Sequence, residues 1–214
     1  MYPLDRFIGK YMPQNPVIIE AGSHTGDDTL YMNGLWPKAK IYTFEPNPKW
    51  HDVIRGKIAP YPNIQFFPLA LGNTVGSIDF FQYLAHDTGA DCALKPLLET
   101  HFWKHTIKTP QFSDPFKVPV TTLDAWAKEH GVDQVDFMWL DMEGSEGKML
   151  EGSEEILKNT RIIQLEWSET AIFEGEKPFH ELNQFLKERG FICSSISKNQ
   201  EHETRGDALF FKVS

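Results

Sequence analysis

The residues that could do chemistry in this 214-residue chain fall in a few short stretches. Glu20-Ala-Gly-Ser-His-Thr-Gly-Asp-Asp-Thr29 sets Gly22 and Gly26 among small polar residues directly after the apolar run Val17-Ile-Ile. Glycine lets a backbone turn tightly and approach a ligand that a Cβ would obstruct. Glu45 closes a second apolar run, 25 residues beyond Glu20, near the spacing of roughly 20 that puts a carboxylate on ribose hydroxyls. Asp141, Glu143 and Glu146 follow another run, and Glu166, Ser168 and Glu169 the next. Carboxylates in such places can act as bases, accept hydrogen bonds from a ligand or coordinate a hard cation.

Alternating strands and helices must position these groups. Val17 to Glu20, Lys40 to Phe44, Asp136 to Leu140 and Arg161 to Glu166 read as strands, and Ile64 to Leu71 as one further apolar run. Asp27 to Leu35, Lys49 to Ala59, Leu123 to His130, Glu146 to Lys158 and Pro178 to Arg189 read as helices, the last stopped by Gly190. That alternation predicts an α/β fold with a parallel sheet. Phe191 to Ser197 and Ala208 to Val213 predict an antiparallel hairpin at its edge, while Ser77 to Tyr83 and Val118 to Thr121 supply additional strands. The chain is expected to form a single domain over 1–214, with 84–116, rich in Pro, Thr and His, as an insertion or substrate loop.

Composition excludes several classes. A formal charge of -9 argues against a broad phosphate-binding surface, so no nucleic-acid partner is expected. Cys92 and Cys193 lack the spacing of a zinc site or a disulfide framework, and with no signal-like start or spanning apolar run the expectation is a soluble, cytoplasmic protein. The glycine loop lacks the G-x-G-x-x-G of a dinucleotide fingerprint, since His24 stands at the second glycine position. An NAD-type oxidoreductase is therefore a distant reading. Glu20 suits a cationic amino-acid moiety better than a phosphate, and Glu45 suits an adenosine; S-adenosylmethionine combines the two.

Three segments resemble the FkbM-type methyltransferase family: the Glu20–Thr29 loop, Phe44-Glu-Pro-Asn47, and Val120-Thr-Thr-Leu-Asp124 followed by Asp136-Phe-Met-Trp-Leu-Asp-Met-Glu-Gly-Ser-Glu146. Ala70-Leu-Gly72 matches the family's A-L-G. The resemblance implies a Rossmann-like class I methyltransferase with a mostly parallel seven-stranded sheet and a C-terminal antiparallel hairpin. It also implies S-adenosylmethionine as cofactor and O-methylation of a hydroxyl on a small molecule or saccharide. The family's first motif usually opens with Asp where this chain has Glu20, and a lysine often stands where it has Trp139.

On this reading the cofactor contacts are Glu20, Ala21, Gly22, Ser23, His24, Thr25, Gly26, Thr29, Glu45, Pro46, Ala70, Leu71, Asp141 and Met142. The catalytic candidates are Asp141, Glu143, Glu166 and His24, with His24 open between a base and a group packed on the cofactor. Asp141 with Glu166 or Glu169 could also hold a divalent cation. Glu146 reads as a helix-start acid. His101 and His105, four apart, read as a solvated helix face rather than a zinc site, and His86 and Trp103 as acceptor contacts or ordinary surface loop. A cofactor-binding module without catalysis is the competing reading of the same fold.

Overall fold

The computed structural model describes residues 8–84, 90–106 (104–106 as backbone), 110–198 and 204–213. Its main sheet contains β1 (Val17–Ala21), β2 (Lys40–Phe44), β3 (Ile64–Phe67), β7 (Val135–Leu140), β8 (Thr160–Ser168), β9 (Phe191–Ile196) and β10 (Arg205–Lys212). The spatial order is β3-β2-β1-β7-β8-β10-β9. The first five strands of that order pair in parallel, and β10 runs antiparallel to both β8 and β9. The expected sheet and edge hairpin are both present.

Alternating side chains in the central strands feed two cores. Ile19, Tyr42 and Met138 pack on one face beneath α4 (Leu123–His130), α5 (Glu146–Glu151) and α6 (Phe179–Glu188). Ile18, Ile41 and Phe137 pack on the other, against Met32 and Leu30 of α1 (Asp27–Leu35) and Ile58 of α2 (His51–Ile58). Trp139 belongs to this second core and is buried. Succession to one side from β1 and to the other from β7 puts the topological switch point between these strands, where ligands bind in open α/β sheets.

The structure departs from the sequence reading in several places. The run Ile64 to Leu71 is not one strand. It breaks at Pro68, which cannot donate to a ladder, and continues as β4 (Ala70–Leu71) in a separate three-stranded sheet with β5 (Gly76–Phe80) and β6 (Phe116–Thr121), in the order β4-β6-β5. The helix expected over Glu146 to Lys158 stops at Glu151: Gly152 closes it, and the Asp124 carboxylate accepts the Glu155 and Ile156 amides at 2.9 Å each, starting a separate 3-10 turn. Asp124 and Thr122, which N-caps α4 through its hydroxyl, thus show the Thr-Leu-Asp motif acting as structural caps.

Within 84–116, α3 (His101–Thr106) carries Phe102 and Trp103 into a satellite core with Cys92, Ile172 and Phe173. Trp103 is 1% exposed and donates to the Ile172 carbonyl at 3.0 Å, so it packs the insertion rather than facing a ligand. His86 and the His105 side chain lie outside the described residues. Among the described residues, no helix is long and apolar enough to cross a membrane.

Candidate active site

At the switch point the ends of β1, β2 and β7 are tied together. Gly22 and Ser23 donate to the Phe44 carbonyl at 3.0 and 3.1 Å, and the Asp141 amide donates to the Ala21 carbonyl at 3.0 Å. Gly22 has φ +88°, and a Cβ there would lie 1.7 Å from the Asp141 carbonyl oxygen. Only glycine permits this close approach. His24 and Glu143 also adopt left-handed backbone, with φ 47° and 49°; such strain concentrates where function fixes a conformation.

Two adjoining clefts open here. The first, about 520 Å³, is lined by Ala21, Gly22, His24, Phe44, Glu45, Pro46, Leu69, Ala70, Leu71, Phe80, Asp91, Ala93, Asp141, Met142 and Ser145. The second, about 590 Å³, is lined by Gly22, Ser23, His24, Thr25, Asp27, Asp28, Asp141 and Glu143. Gly22, His24 and Asp141 form the wall common to both. One cleft is largely apolar with a few directed polar groups; the other is rimmed by carboxylates.

Most of the expected cofactor residues meet here. Glu20, Gly26 and Thr29 do not line either cleft. Glu20 is fully buried behind the loop and accepts a hydrogen bond from the Thr29 hydroxyl, so the pair shapes the loop from beneath. Burial pushes the Glu20 carboxyl up to about 7. Glu45 stands in the first cleft with its oxygens accepting the His24 and Asn47 amides, each at 2.8 Å, and burial pushes it up to about 8. The His24 ring lies edge-on to Trp50, centroids 4.3 Å apart.

Desolvation by the cleft walls, then Glu143, push Asp141 up to about 7. Its side chain still reaches solvent through the cleft mouth, which screens that effect. Asp141, Glu143 and Glu166 each bring one oxygen within 4.8 Å of the others, whereas Glu169 stays outside the group. Arg205 completes the cluster, donating to Glu143 at 2.9 Å and Glu166 at 2.6 Å and lying over the Phe102 ring at 5.3 Å. Burial and Glu143 hold Glu166 well above the ordinary carboxylate range against the pull of Arg205. Burial opposes the Arg205 charge, but Glu143 and Glu166 outweigh it, so the guanidinium is a permanent cation. Glu146 serves structure: it accepts the Met142 amide at 2.8 Å, and burial pushes it up to about 8. Glu143 precedes α5, so the two acids share no helix face.

Arg205 and Asp91 went unnoticed in the sequence. Arg205 lies before the run that read as the final strand, and its partner Glu166 is reached only through the pairing of β10 with β8. Asp91 sits in the irregular insertion. No local motif marks either.

A mostly parallel seven-stranded sheet with a reversed edge hairpin, and a cleft at its switch point, define the Rossmann-like S-adenosylmethionine-dependent methyltransferases. The Methyltransferase FkbM domain model matches residues 20–193, and the chain belongs to that family. It is a methyltransferase. It is 28% identical to 2-O-methyltransferase NoeI of Sinorhizobium fredii over 80% of this chain and 71% of that protein. Methyltransferase sdnD of Sordaria araneosa is 24% identical over 84% of this chain and 75% of its own length. Among solved structures, an rRNA methylase from Streptococcus thermophilus superposes with a TM-score of 0.55 at 13% identity, covering 100% of this chain and 98% of its own. Magnesium protoporphyrin IX methyltransferase (ChlM) from Synechocystis, with bound SAM, gives 0.52 at 10% identity, covering 93% and 71%. These two show a shared fold.

Proposed function

We propose that the protein transfers a methyl group to a hydroxyl of a small molecule or saccharide, with Asp141 as the general base. The observation that carries this reading is the placement of Asp141 at the end of β7, in the wall common to the apolar and acidic clefts. The 2-O-methyltransferase name of the NoeI relative supports an oxygen acceptor. S-adenosylmethionine supplies the methyl on a sulfonium that leaves as a neutral thioether. Phe44, Leu71, Phe80 and Met142 suit the adenosine, and Glu45 its ribose hydroxyls.

A carboxyl raised toward 7 is matched to taking a proton near neutral pH. Asp141 takes the acceptor hydroxyl's proton as the acceptor oxygen bonds to the methyl carbon and the carbon–sulfur bond breaks. His24, held by its amide on Glu45 and its ring on Trp50, acts as a wall for the cofactor. The acidic rim disfavours a phosphate-bearing acceptor, which supports a small molecule over nucleic acid. On the same reading, 1–214 is one methyltransferase domain with 84–116 as an insertion or substrate loop, and the free Cys92 and Cys193 fit a reducing cytoplasm.

The carboxylate trio fits a divalent cation poorly. Arg205 already donates to Glu143 and Glu166, and an ion would have to displace a buried guanidinium. Strong chelation is expected to leave turnover intact. Transfer of label from tritiated S-adenosylmethionine to a panel of oligosaccharides, small phenolic or aliphatic alcohols and small amines tests the reading. An O-methylated product supports it, whereas methylation confined to nitrogen acceptors overturns it.

A further inference from the structure

The insertion does more than flank the first cleft. Asp91 and Ala93 line it together with Phe80 of β5, Gly22 and Glu45, so residues of this segment form part of its wall. One side chain fastens that wall. Asp91 Oδ2 accepts from the Asn47 amide side chain at 2.6 Å and from Trp50 Nε1 at 3.3 Å, while Oδ1 accepts the Tyr83 backbone amide at 2.8 Å. The three donors come from the loop after β2, the 3-10 turn before α2 and the segment after β5, and each is buried. Asn47 in turn donates its own amide to Glu45 at 2.8 Å. A continuous chain of hydrogen bonds therefore runs from the insertion through Asp91 and Asn47 to Glu45. Next to Asp91, the Phe81 and Cys92 backbones exchange two hydrogen bonds at 2.8 and 3.0 Å, which fixes the approach angle of the segment.

We propose that Asp91 is a positioning residue that clamps the stretch 91–93 against the adenosyl half of the cofactor site and sets how long the cofactor stays bound. The inference rests on the cofactor reading of that cleft. A wall held by hydrogen bonds across a cleft opposes ligand escape more than entry, so its loosening is read mainly in the dissociation rate. Asp91→Ala removes all three bonds, and a change of about tenfold needs only part of what they contribute together.

The test is stopped-flow dissociation of S-adenosylhomocysteine from the wild type, Asp91→Ala and Asp91→Asn, followed by tryptophan emission, because Trp50 donates to Asp91. The expected result is about a tenfold faster dissociation in Asp91→Ala, association within about threefold of wild type, and partial recovery in Asp91→Asn. An unchanged dissociation rate, or a loss confined to association, overturns the proposal while leaving the cofactor reading in place. Failure of the folded wild type to bind S-adenosylhomocysteine would instead remove the cofactor reading itself. If the variants do not fold, hydrogen exchange on the wild type decides. The Tyr83 amide must exchange at least about tenfold more slowly with S-adenosylhomocysteine bound, and equal exchange in both states overturns the clamp.

Discussion

Replacing Arg205 by methionine keeps apolar bulk against Phe102 but removes the cation between Glu143 and Glu166. The Arg205 side chain is 9% exposed, and those of Glu143 and Glu166 15% and 21%. Removing one partner of a buried pair typically costs about 3–5 kcal/mol. Protonation limits that cost here, because Glu166 can take up a proton instead of standing charged. From its ordinary value of 4.5, the uptake costs about 1.4 kcal/mol per pH unit, so at most about 3 kcal/mol at pH 7, about 5 at pH 8 and under about 1 at pH 5. Burial and Glu143 already raise Glu166 in the fold, and losing Arg205 raises it further. A carboxyl raised in this way favours the folded state below 4.5, and that contribution is lost as pH rises through its folded value. Urea unfolding of wild type and variant at pH 5, 7 and 8 should show a stability deficit that widens with pH. A deficit independent of pH, or a variant as stable as wild type at pH 8, would refute the reasoning.

Three further outcomes follow from the site. Asp141→Asn should lower kcat by about 10²-fold or more with the far-ultraviolet spectrum unchanged, since a positioned base contributes on that scale; comparing single turnovers with and without the substitution checks it. Gly22→Ala should destabilise by at least about 2 kcal/mol and abolish S-adenosylhomocysteine binding, because its Cβ meets the Asp141 carbonyl; thermal melting and calorimetry report both. Glu20, Glu45 and Glu146 are raised by burial to about 7, 8 and 8. The cofactor-free protein should therefore lose thermal stability between pH 6 and pH 9, and a melting temperature that rises over that range contradicts the assignment.

The sheet and much of the site were legible because their signals are local. An apolar run ending in Gly22 and Gly26, a carboxylate closing the second strand and another after the β7 run mark the ends of β1, β2 and β7 without reference to partners. The rest depended on tertiary pairing. Gly206 and Asp207 are poor strand formers, and with Arg205 they join β10 through pairing with β8 from Ile162 to Ser168. Asp91 acquires its role from donors 8 to 44 residues away. Pro68 splits an apolar run that composition alone joins, and Trp103 reads as a loop aromatic until Ile172 and Phe173 come over it. Glu20 shows the converse: its charge suggested direct contact with a cation, yet the loop that Thr29 anchors lies between it and the cleft.

The most direct test is calorimetric titration of the purified protein with S-adenosylmethionine and S-adenosylhomocysteine, repeated on Glu45→Ala. Binding of both ligands at one site per chain, weakened about tenfold or more when Glu45 is lost, is the predicted result. A correctly folded wild type that binds neither ligand, or a Glu45→Ala variant that binds as tightly as wild type, would contradict the placement of the cofactor between the ends of β1, β2 and β7.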